Sequence, residues 1–288
     1  MFPRPSTHSA AIGPGCAGPS MAVPYPTELD RPRAPSVMRP TSGADAFAVD
    51  PAALPVAANP RQHTQNPYVT GTSVLAVTYK DGVVIAADTL ASYGSTKRYK
   101  DFNRLAAVGR STAVGASGEL SDFQYLLRLL RELQDEEFAA DDGAAALQPS
   151  EIHSYLSRVL YNRRNKFDPL WNSLVVGGVQ NDGTPYLGTV GMIGTSYVDE
   201  TIATGFGNHL ARPIMREKHR PDMTLDEATA LLRECLEVCY YRDKNSINKF
   251  RLANVTAAGV DVSEPFSIDT KWDYALFRDP SKNAPGTW

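Results

Sequence analysis

Three turn signals, each set between β-rich runs, constrain this chain more than any other feature. Ser73–Tyr79 and Val83–Asp88 flank Lys80-Asp81-Gly82, and Leu174–Val179 and Pro185–Val190 flank Asn181-Asp182-Gly183. Phe250–Thr256 and Val260–Val262 flank Ala257-Ala258-Gly259. Short runs of Val, Ile, Leu and Thr joined by Asp-Gly or Gly-bearing turns predict antiparallel hairpins. Between the first two hairpins lie a short strand, Thr112–Ser117, and two helical patterns. Phe123, Leu126, Leu127, Leu130 and Leu133 share one helix face, and Ile152, Tyr155, Leu156, Val159 and Leu160 share another. The second helix should start after Pro149 with Ser150 as its N-cap. Before the last hairpin, Thr224-Leu-Asp-Glu227 forms a capping box that opens a helix through Leu231, Leu232, Cys235, Val238 and Cys239. Hairpins covered by helices on one face need a second sheet on the other, so the expected fold is α+β, a four-layer α/β/β/α sandwich of two antiparallel sheets.

This pattern does not extend to the N-terminus. Of the 21 prolines, 13 lie in the first 67 residues, where the only aromatics are Phe2, Tyr25 and Phe47. Such a segment buries too little apolar surface to offset its ordering entropy. Residues 1–63 are therefore expected to be a disordered, removable segment, 64–277 one folded domain, and 278–288 an irregular tail. With 29 basic and 32 acidic side chains the formal net charge is −3, which lacks the cationic surplus that phosphate neutralisation requires. Nucleic acid is not an expected partner. No apolar run approaches the roughly 20 residues of a membrane span, and no secretory h-region is visible. Three cysteines (Cys16, Cys235, Cys239) form no disulfide framework, so a cytoplasmic and nuclear location is expected.

Most familiar site motifs fail. There is no Walker A loop, no His-Glu-x-x-His and no Gly-x-Ser-x-Gly, and Gly205-Phe206-Gly207 lacks the third glycine of a dinucleotide loop. His153, His209 and His219 read as surface or interface histidines rather than general bases. Cys235 and Cys239, one helical turn apart, lack the further ligands of a closed zinc site and read as buried apolar side chains. Arg163, Arg164 and Lys166 suit a helix C-terminus or a subunit contact. One constellation carries chemistry: Gly71-Thr72 at the start of a strand, followed by Gly82–Asp88. A threonine there becomes a nucleophile if the chain is cut before it, because the freed α-amine serves as base for its own hydroxyl.

Gly71-Thr72, Gly82-Val-Val-Ile-Ala-Ala-Asp88, Ser117-Gly118 and Tyr241-Arg-Asp-Lys-Asn-Ser246 together resemble the beta subunits of the proteasome core particle, in the N-terminal-nucleophile hydrolase superfamily. Thr64–Ser73, Ser92–Ser95, Asp168–Asn172, Ala203–Gly207 and Tyr240–Asp243 are similar to one non-catalytic branch of that family. The resemblance implies the sandwich fold, partners in the same and opposite beta rings and in the alpha ring, a part in ubiquitin- and ATP-dependent proteolysis, and no cofactor or metal. In active members the threonine works with an aspartate about 16 residues on, a lysine as far again, and later an aspartate and two serines. Here those positions fall on Asp88, Arg104, Phe206, Asp243 and Ser246, so lysine is replaced by arginine and one serine by phenylalanine. Arginine stays protonated where lysine can be tuned to move a proton, and phenylalanine removes a hydroxyl. The resemblance further implies processing between His63 and Thr64, which leaves the Thr72 nitrogen in an amide. An active peptidase using Thr72 after cleavage at Gly71 is the alternative, and a free-standing scaffold reusing the fold is another.

Overall fold

The computed structural model describes residues 66–141, 147–274, 278 and 281. The predicted 1–63 segment, His63, Thr64 and nearly all of the 278–288 tail lie outside them.

Eight strands form the larger antiparallel sheet. Its path runs β10 (Ser196–Val198), β9 (Pro185–Val190), β8 (Asn172–Val179), β7 (Thr112–Glu119), β1 (Val69–Gly71), β4 (Ala91–Tyr93) and β5 (Thr96–Tyr99). The eighth, β6 (Leu105–Val108), shares an edge of β7 with β1. The smaller sheet runs β11 (Thr201–Ala203), β2 (Val74–Tyr79), β3 (Gly82–Asp88), β12 (Phe250–Thr256) and β13 (Gly259–Val262). All three predicted hairpins are present, with Tyr79 opposite Gly82, Val179 opposite Pro185 and Thr256 opposite Gly259.

Strand periodicity divides the interior into three cores, because alternate side chains leave opposite faces. Val74, Ala76, Val83, Ile85 and Ala87 meet Ala113 and Val175 between the sheets. Leu75, Val77, Val84 and Ala86 instead face α5 (Leu225–Arg242) through Leu231, Leu232 and Cys235, together with Met215 of α4 (Arg212–Lys218). On the other side Val114, Ala116, Leu174 and Val176 pack on α1 (Leu120–Asp141) and α2 (Pro149–Asn165) through Phe123, Leu126, Leu130, Ile152, Leu156 and Leu160. The short α3 (Gly207–Leu210) completes the helices. The architecture is the expected four-layer α/β/β/α sandwich. No described helix is long and apolar enough to cross a membrane.

Two local expectations need correction. Gln148, not Ser150, is the N-cap of α2. Proline is pre-set for the first helical position, so Pro149 takes it, and the Glu151 carboxylate accepts the Gln148 N–H at 2.8 Å. His153 is not at the surface: it is buried on α2, with Nδ1 2.8 Å from the Tyr186 hydroxyl and Nε2 3.0 Å from the Thr189 carbonyl. The α5 capping box is present, with Thr224 N–H donating to the Glu227 carboxylate at 2.8 Å and Glu227 N–H donating to Thr224 Oγ1 at 3.4 Å. Thr224→Ala is expected to cost about 1 kcal/mol, seen as roughly fivefold faster amide exchange in the first turn of α5.

Candidate active site

Thr72 sits where the chain passes from one sheet to the other, since β1 belongs to the larger sheet and β2 to the smaller. The segment before it is fastened on both edges. Thr70 and Gly71 pair with Glu119 and Gly118 of β7, and Val69 and Thr70 pair with Tyr93 and Ser92 of β4. The buried Glu119 carboxylate also accepts the N–H groups of Tyr68 at 2.5 Å and Val69 at 3.0 Å.

Arg104 is the centre of the site and is 1% exposed. It reaches Thr72 from just before β6, and its guanidinium is spent on backbone. Nη1 donates to the Thr72 carbonyl at 2.6 Å, Nη2 to the Ser73 carbonyl at 2.6 Å, and Nε to the Asp88 carbonyl at 3.1 Å. Nη2 also lies 3.2 Å from Asp88 Oδ1, an ion pair whose geometry is not that of a directed hydrogen bond. Burial lowers the arginine pKa, and the carboxylates of Asp88 and Asp243 oppose that shift. The side chain lies so close to Gly71 that a Cβ there would stand 2.6 Å from Arg104 Cδ and Nη1, which is why glycine precedes the threonine.

Asp88, at the end of β3, is 4% exposed. Burial pushes its carboxyl up to about 6, loss of hydration outweighing Arg104 and the Ile247 N–H. Asp243 caps the C-terminus of α5 and accepts the Thr72 hydroxyl hydrogen through Oδ2. Its Oδ1 accepts the Asn245 N–H at 2.9 Å. Thr72, Asp88, Arg104 and Asp243 are thus brought together. Ser246 is buried nearby, but its hydroxyl donates to the Asp243 carbonyl at 2.8 Å and serves the loop rather than the threonine. Phe206 begins the turn into α3 and is 59% exposed. Its neighbour Gly207 donates its N–H to Ser73 Oγ at 2.8 Å.

Two participants were not read as site residues from the sequence. Glu119, which holds β1, is an ordinary polar residue until the fold buries it, and Asn172, marked in the sequence only by the resemblance of Asp168–Asn172, proves to donate through Nδ2 to the Ser117 and Glu119 carbonyls at 3.1 and 2.7 Å. The remaining candidates stand apart from the site. Cys235 and Cys239 are buried on α5, and burial pushes both thiols up to about 12. Arg163 and Arg164 occupy the last turn of α2, where Arg163 pairs with Asp168 at 3.0 Å. Among the described residues no group of three His, Cys, Asp or Glu side chains is placed to hold a metal.

Two facing antiparallel sheets between helical layers, with a threonine between β1 and β2 bonded to the Asp243 carboxylate beside a buried Arg104–Asp88 pair, match the N-terminal-nucleophile hydrolase class. A family profile described as "Proteasome subunit" matches residues 68–255, and the chain belongs to that family. "Proteasome subunit beta type-4" of Arabidopsis thaliana is 52% identical over 235 residues, covering 82% of this chain and 95% of the relative. The protein of the same description from Xenopus laevis is 46% identical over 220 residues, covering 76% and 90%. "Proteasome subunit beta type-7" of Saccharomyces cerevisiae is 42% identical over 228 residues, covering 76% and 86%. Beta type-4 is the branch that the motifs around Thr64–Ser73 and Ala203–Gly207 resemble. Membership of the family makes this chain a component assembled with other proteasome subunits.

Proposed function

We infer that this chain is a non-catalytic beta subunit of the 20S core particle. It completes a beta ring, contacts neighbours in its own ring, in the opposite beta ring and in the alpha ring, and supports ubiquitin- and ATP-dependent degradation carried out by active subunits in cytoplasm and nucleus. The observation that carries the reading is the use of Arg104. The lysine that active members carry at this position can be tuned by burial and neighbouring charge to help move a proton and lower the nucleophile's pKa. Arg104 stays a cation and is hydrogen-bonded to three backbone carbonyls, so it acts as a structural tie. Phe206 offers no hydroxyl, and the Ser246 hydroxyl is already engaged. With processing between His63 and Thr64, residues 64–71 remain as an extension and the Thr72 nitrogen stays an amide that cannot serve as base.

Intact mass and N-terminal sequencing of the chain from its native particle test the reading. The expected first residue is Thr64, and Thr72→Ala is expected to leave every peptidase activity of the particle unchanged. A chain beginning at Thr72, together with loss of one activity in Thr72→Ala, would establish the alternative of an active peptidase cut after Gly71.

A further inference from the structure

The basic end of α2 takes no part in the Thr72 site, and the structure divides its cations by use. Arg163 is committed: its guanidinium pairs with Asp168 at 3.0 Å, its Nε donates to the Asp168 carbonyl at 2.8 Å, and it lies over the Tyr125 ring, 5.7 Å from the centroid. Arg164 and Lys166 are exposed, and neither forms an ion pair with a described residue. The next residue, Phe167, has φ +54°, the only positive φ outside glycine among the described residues, and is 84% exposed. Helices that end this way usually do so on Gly or Asn, because a Cβ is crowded in the left-handed region. An aromatic there is unfavourable twice over, as a strained backbone and as an apolar ring in water.

The turn is built to hold that ring out. Phe167 N–H donates to the Arg164 carbonyl at 3.0 Å and Asp168 N–H to the Arg163 carbonyl at 3.1 Å, and the Arg163–Asp168 contacts brace the same turn from its side chains. A stem so fixed has little freedom left to lose on docking. An aromatic anchor beside an arginine is the composition of an interface hot spot, and two unpaired cations next to it call for carboxylates on the other side. Two cations on a chain of net charge −3 make too narrow a field for a phosphate backbone or an anionic membrane, whereas the family assembles with other subunits. We propose that Phe167, with Arg164 and Lys166, is a knob that seats in an apolar socket rimmed by Asp or Glu on a neighbouring subunit of the particle. The proposal rests on this chain being a component of the 20S particle and names one of its contacts there.

The test coexpresses the natural full-length chain with a differently tagged variant and counts each in purified particles. Phe167→Asn removes the ring but suits the left-handed turn, so its soluble precursor pool is expected to match that of the natural chain. Its share of the particles is expected to fall about fivefold or more, as for a lost hot-spot anchor. Arg164→Ala combined with Lys166→Ala is expected to lower the share roughly twofold, the scale of exposed ion pairs. Benzoylphenylalanine in place of Phe167, photoactivated in the purified particle, is expected to cross-link to another subunit at apolar side chains flanked by Asp or Glu. Equal incorporation of Phe167→Asn overturns the proposal, and so does a cross-link confined to this chain or made to a segment without a carboxylate. If the Phe167→Asn precursor pool falls as well, the cross-link alone decides. Absence of the natural chain from the particles is a separate outcome: it overturns the 20S reading on which the knob rests.

Discussion

Arg104→Met is expected to keep this subunit out of the assembled particle. Methionine fills much of the same volume but donates nothing, so the carbonyls of Thr72, Ser73 and Asp88 lose their bonds, and Asp88 loses its cation. Removing one partner of a buried ion pair costs about 3–5 kcal/mol, a large part of the 5–15 kcal/mol by which a domain is stable. Arg104→Lys should be intermediate, since an ammonium restores the charge but not the three-way fork. The pH dependence has a defined sign. Asp88 has a folded pKa of about 6, above its unfolded value of about 3.9. Folding therefore favours the neutral acid, and ionisation costs stability as pH rises from about 4 through 6. Without Arg104 that cost grows, so Arg104→Met should be less impaired at pH 5 than at pH 7.5, and adding Asp88→Asn should recover part of the loss at neutral pH. Quantifying the subunit in purified particles, and its thermal unfolding across that pH range, checks each step. Equal incorporation of Arg104→Met and the natural chain would show that the buried cation is not what holds the two sheets at Thr72.

The hairpins, the long helices and the order that makes a sandwich were legible because they depend on local chemistry: Asp-Gly turns, a capping box and apolar periodicity. The strands that shape the site were not. β1 is three residues of Val-Thr-Gly and β4 three of Ala-Ser-Tyr, too short for a period; β1 is held by Glu119 and β7, and β4 by pairing with β1 and β5. The meeting of Thr72, Asp88, Arg104 and Asp243 followed from spacing within a family resemblance. No local pattern states that residues up to 171 positions apart touch. Ser246 shows the limit of such spacing, because its position was matched while the direction of its hydroxyl was set by the α5 C-terminus. His153 reads the same from sequence whether it faces solvent or a Tyr186 partner.

Gly118→Ala should have the second large effect, because it attacks the strand before Thr72 rather than the cation behind it. Gly118 has φ +88°, and a Cβ there would lie 2.0 Å from the Trp171 carbonyl oxygen and 3.2 Å from Asn172 Cα. Both obstacles are backbone. The Trp171 carbonyl is held by the Glu119 N–H at 2.8 Å, and Asn172 pairs with Gly118 across β7 and β8, so neither can move aside alone. Overpacking costs about 1–3 kcal/mol, and a side chain in that backbone region about 1–3 kcal/mol more. Gly183 separates the two contributions, since it has φ +84° with nothing within 4 Å of a Cβ. Gly183→Ala should thus show only the conformational part and assemble nearly as well as the natural chain. In Gly118→Ala, displacement of Glu119 should release the amides of Tyr68 and Val69. The expected result is at least tenfold faster exchange at those two amides and new protease cleavage just before Thr72. If instead the β1 amides stay protected while the subunit still assembles, Glu119 is not the fastening that holds β1 across the site.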